Sequence, residues 1–76
     1  MNNKRRTMVK RAGKMLLDAY DLIDAAYEEE LESLDSIPEQ LQNTDRYDKM
    51  SDNVDCLEEA KDQLETVIDS LNEVLQ

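Results

Sequence analysis

Histidine, tryptophan and phenylalanine are absent from this 76-residue chain, which has a single glycine, a single proline and a single cysteine. Each shortage closes a route. Without histidine there is no side chain whose ordinary pKa suits proton transfer near neutrality, and the Glu-x-x-His pattern of di-metal helix bundles cannot be written. Cys56 has no second thiol for an internal disulfide or a thiolate metal site, and no evident base beside it. One glycine leaves no glycine-rich phosphate loop. The expectation is a protein that is not an enzyme, with no cofactor and no metal. Long apolar runs are missing as well. A basic start followed by Met15-Leu16-Leu17 imitates a signal peptide, but Asp18 and Asp21 interrupt it, and no stretch approaches the roughly 20 apolar residues of a membrane span. With a lone cysteine suited to a reducing compartment, the chain is expected to be cytoplasmic and to make no membrane contact.

Scarce glycine and proline leave long segments free to be helical. The one proline, Pro38, lacks a backbone donor and keeps Ile37 out of the helical region, so a helix arriving from the N-terminal side stops near Asp35. Ser36 and Glu39 have the spacing of a capping box, which predicts a short helical turn within residues 37–42. Thr44 or Asp45 can then cap a second helix. The expected fold is all-α: an antiparallel two-helix hairpin, coiled-coil-like, with helix 1 over about 4–35, a bend over 36–44 and helix 2 over about 45–75, one unit spanning 1–76.

The apolar spacing supports this. In helix 1, residues recur at three and four along two adjacent seams. One runs Met8, Ala12, Met15, Ala19, Leu22, Ala26; the other runs Val9, Leu16, Tyr20, Ile23, Tyr27, Leu31, Leu34. In helix 2, Tyr47, Met50, Val54, Leu57, Lys61, Leu64, Ile68, Leu71 and Leu75 occupy successive a and d positions, and Ala60, Val67 and Val74 widen that stripe. Folding back at the bend places Leu34 near Tyr47, Met8 near Glu73 and Lys61 near Tyr20, with the lysine amine reaching for water or Asp21. Two seams on one helix are more than one partner helix covers. Self-association through Met8, Ala12, Met15, Ala19, Leu22, Ala26, Ala60, Val67 and Val74, into a dimer forming a four-helix bundle or a higher oligomer, is the expected remedy. Gly13 interrupts helix 1 and is a candidate hinge for the residues before it.

Charge is divided along the chain. Lys4, Arg5, Arg6, Lys10, Arg11 and Lys14 place six cations and no acid in the first 14 residues; the remaining 62 carry 3 basic and 19 acidic residues, net −16. Two roles are open to the cations. They can pair with the C-terminal carbonyls of helix 2 and with Glu65, Asp69 and Glu73, or they can bind phosphates of a nucleotide or nucleic acid, or an acidic partner. No aromatic residue accompanies them to stack on bases, which disfavours sequence readout. Glu28, Glu29, Glu30 and Glu32 form an acidic run at the other end, a candidate surface for a basic protein partner.

The bend carries a resemblance. Glu29-Glu30-x-Glu32 through Ile37-Pro38-Glu39-x-Leu41-Gln42-x-Thr44-Asp45-Arg46-Tyr47, then Met50 and Asp55-x-Leu57-Glu58-x-Ala60, resembles small uncharacterised acidic proteins encoded by phages, prophages and mobile elements of Gram-positive bacteria. The similarity covers about residues 22–71. It implies a helical hairpin acting in the host cytoplasm in a small accessory role, such as inhibiting a host or defence protein, and implies nothing about the basic first 14 residues.

Overall fold

A computed structural model describes all 76 residues: helix α1, Asn3–Asp35; a 3-10 turn, Glu39–Leu41; and helix α2, Asp45–Val74. The two helices pack antiparallel along their length, with no strand. The result is a rod measuring 60 × 15 × 14 Å.

Local chemistry sets the helix ends. α1 starts behind Asn2, whose side-chain oxygen accepts the Arg5 backbone N–H at 2.8 Å, one residue before the expected start at about residue 4. It ends where proline requires. Ser36 closes the last turn, with its N–H and its hydroxyl both donating to the Glu32 carbonyl at 3.1 and 2.8 Å. Because Ser36 is spent there, the expected capping box with Glu39 does not form. Pro38 instead adopts an extended conformation, φ −57° and ψ 145°, and the 3-10 turn begins without a side-chain cap. The reversal is made without any residue at positive φ. Thr44 then caps α2: its hydroxyl accepts the Tyr47 N–H at 3.2 Å and donates to the Leu41 carbonyl at 2.9 Å, joining turn to helix.

α1 runs unbroken through Gly13, so the basic segment does not hinge there. A methyl group at Gly13 would meet nothing within 4 Å; no close approach demands the glycine.

The core is a single line of contact. Val54 alone is fully buried, at 6% exposure. Every other position of the α2 seam is half-buried, as are Val9, Leu16, Tyr20, Ile23, Tyr27, Leu31 and Leu34 of α1. Of the two α1 seams, this one faces α2. The accessible surface is 5984 Å², against about 4,800 Å² expected of a globular monomer of this mass. A rod one helix deep hides little of itself.

Candidate interaction surfaces

One polar cluster sits inside the contact line. Lys61 occupies a core position of α2, and its side chain is 17% exposed. Its ammonium lies 4.5 Å from the Tyr27 ring centre and 5.9 Å from that of Tyr20, and pairs with Asp24 at 2.6 Å. Tyr20 is thus a neighbour as expected, but the partner is Asp24, not Asp21. Counted at about 100° per residue, Asp24 flanks the contact line while Asp21 lies further round the helix. The hydrogen bond to Asp24 raises Lys61 above the ordinary lysine value of 10.5, outweighing the opposing cost of covering the charge. The cluster ties position 61 of α2 to positions 20–27 of α1 and so favours this register of the helices.

The other α1 seam is uncovered. Met8, Met15 and Leu22 are 61%, 64% and 74% exposed; Ala12 and Ala26 are exposed, and Ala19 is half-buried. Met8 thus lies outside the interhelical contact line, while Arg6 on Leu75 keeps the register that places positions 8 and 73 level. On α2, Val67 and Val74 are exposed and Ala60 is half-buried. Each stripe lies about a quarter-turn from its helix's contact line. Because the helices run in opposite directions, both displacements fall on the same side of the hairpin. Tertiary structure thus merges the two stripes into one apolar face, with the exposed Cys56 at its edge.

The cations divide three ways. Arg6 reaches across to α2 and donates to the Leu75 carbonyl at 2.8 Å, occupying an acceptor that the helix end leaves open. Lys14 pairs with Asp18 one turn along its own helix at 2.5 Å, and this hydrogen bond raises its pKa. Lys4, Arg5, Lys10 and Arg11 make no ion pair. None of the six pairs with Glu65, Asp69 or Glu73, so the expected cross-helix ion pairs are not formed. Of the row Arg6, Lys10, Lys14, the outer members are thus engaged within the chain and Lys10 is not.

The acidic run does not make one patch. Glu28, Glu29 and Glu32 are exposed and Glu30 is half-buried. Consecutive helical positions point them to different sides. Glu29 and Glu32 do share an open cleft of about 780 Å³ under the bend, beside Ile37, Pro38, Arg46, Tyr47 and Met50. Sequence reasoning missed this cleft. The signal was present in Pro38, which throws the connection outward before α2 begins.

No family model, curated protein or solved structure matches the chain.

Its surfaces are therefore read from chemistry alone. No helix is long and apolar enough to cross a membrane. The apolar side of the rod combines most of the large exposed aliphatic groups of both helices, Leu17 excepted, the cationic end retains four unpaired charges, and the bend end sets Glu29 and Glu32 on a cleft.

Proposed function

We propose that this chain is a protein-binding module without catalytic activity, working as a self-associated four-helix bundle. One observation carries the reading: Met8, Met15, Leu22, Val67 and Val74, each more than 40% exposed, lie on one side of the rod, about a quarter-turn from the contact line between its helices. Apolar faces of this kind mark interaction sites. A hairpin with only one fully buried residue gains most by covering this face.

The assembled bundle would present the anionic outer surfaces of its helices to a basic protein partner. The resemblance at the bend favours an accessory protein of a phage or mobile element, acting in the host cytoplasm by occupying a complex that handles nucleic acid. An alternative reading gives the phosphate-binding role to the basic end. It rests on Lys4, Arg5, Lys10 and Arg11 being free, but engagement of Arg6 and Lys14 weakens it.

Light scattering at tens of micromolar tests the first step: the expected mass is at least twice 8.8 kDa, and a single-chain mass with full helicity would overturn it. Affinity capture with the wild-type chain, with a variant neutralised at Glu28, Glu29, Glu30 and Glu32, and with one reversed at Lys4, Arg5, Lys10 and Arg11 tests the second. A basic protein retained by the wild type and lost by the first variant supports the proposal. Retention of nucleic acid or nucleotide lost only by the second supports the alternative.

A further inference from the structure

The apolar face matches itself when the rod is turned end for end. We propose that two copies of this chain dock through it with their bends at opposite ends, so that α1 lies antiparallel on α1 of the second copy and α2 on α2. This rests on the self-association proposed above and adds the orientation.

Volume is the first argument. The stripe Met8, Ala12, Met15, Ala19, Leu22, Ala26 alternates large and small side chains at heptad spacing. Laid antiparallel on itself about its own midpoint, it sets Met8 opposite Ala26 of the second copy, Met15 opposite Ala19 and Leu22 opposite Ala12. Each of the three largest exposed groups on the face, 61–74% exposed, meets an alanine, and the two-fold axis repeats every such contact. Alternation of large and small across facing positions is what lets helices approach closely and fill the space between them.

Charge is the second argument, and it is independent of the first. The same register brings Lys4 and Arg5 level with Glu29 and Glu30 of the second copy. Lys4 and Arg5 are unpaired within the hairpin, and neither glutamate has an ion-pair partner there. The opposite arrangement, with both bends at one end, would gather both cationic segments at one end of the bundle and both glutamate runs at the other. There α1 lies on α2 of the second copy and like charge accumulates at each end of the bundle, whereas in this arrangement each end holds one cationic segment and one glutamate run.

Area is the third. A face 60 Å long and 15 Å wide offers on the order of 900 Å² per copy, about the contribution of each partner to a specific interface.

A spin label at Asn43→Cys, in the turn and on a Cys56→Ser background, reads the orientation directly by pulsed dipolar spectroscopy. Bends at opposite ends give a distance approaching the 60 Å length of the rod; bends at one end give no more than the thickness of two stacked rods, each about 15 Å. The short distance would overturn this inference while leaving self-association standing, whereas a single-chain mass by light scattering would sink both. Charge exchange supplies the second measurement. Lys4→Glu with Arg5→Glu weakens assembly by about tenfold, because symmetry counts each pair twice, and adding Glu29→Lys with Glu30→Lys restores it. If the first pair of changes leaves assembly unaltered or strengthens it, the bends do not lie at opposite ends.

Discussion

Two side chains behave differently from what their types suggest. Gly13 is a glycine that no contact and no backbone angle requires, so Gly13→Ala is expected to stabilise the fold by about 1 kcal/mol, through the lower entropy of the unfolded chain and better helix propensity. Urea denaturation at matched protein concentration checks this. Lys61 is a cation in a core position, covered by Tyr20 and Tyr27 and answered by Asp24. Its pKa is raised, so its contribution is complete below 10.5 and is lost as pH climbs through the higher folded-state value. Lys61→Met should remove that alkaline loss and melt at an equal or higher temperature at neutral pH, because a packed apolar side chain replaces an ion pair that is costly to desolvate. Melting curves at about pH 8 and about pH 11.5 compare the two proteins on either side of the ordinary lysine range. Asp24→Ala has the opposite sign. It strands the ammonium and lowers the melting temperature.

At the scale of elements, the connection between the helices depends on Thr44 more than on Pro38. Proline ends α1, but Thr44 ties the turn to α2 with one hydroxyl that accepts from Tyr47 and donates to Leu41. Thr44→Ala is expected to cost about 1 kcal/mol, which for a domain of this size lowers the melting temperature by about 4–8 °C. Thr44→Asp keeps the acceptor and should recover most of the loss, leaving only the bond to Leu41 missing. Both helices were readable as helices from their three-and-four spacing, and the stop before Pro38 follows from covalent geometry. The role of Ser36 was not. Ser36 and Glu39 have the spacing of a capping box, but a serine beside a helix end can bond backward as well as forward. Here the Glu32 carbonyl wins because Pro38 holds the following segment extended, turning Glu39 away.

For the whole molecule, the consequence of so thin a core is that stability and assembly are coupled. If the apolar face is covered by a second copy, the melting temperature rises with protein concentration by mass action. Met15→Glu with Leu22→Glu, both at exposed sites, would then yield single chains that melt lower and lose the concentration dependence, as read by circular dichroism over a hundredfold dilution series. Unchanged melting in this variant would show that the face is not a contact. The candidate surfaces were legible in unequal measure. The Met8–Ala26 stripe and the Ala60, Val67, Val74 flank could be written from the sequence as one seam, because positions counted at about 100° per residue on two antiparallel helices fall on the same side, while how far each residue is exposed could not. The basic residues were equally plain, while their division into Arg6 on a carbonyl, Lys14 on Asp18 and four free cations depends on reach across the rod.

Composition and spacing alone determined that this chain is two long helices reversed at Pro38, with more apolar flank than one partner helix covers, because helix periodicity and the geometry of proline are local properties. Only the tertiary structure decided how the charges are spent: Lys61 on Asp24, Arg6 on the Leu75 carbonyl and Lys14 on Asp18. Those pairings depend on the reach of side chains around and between the helices, which spacing along one helix does not give.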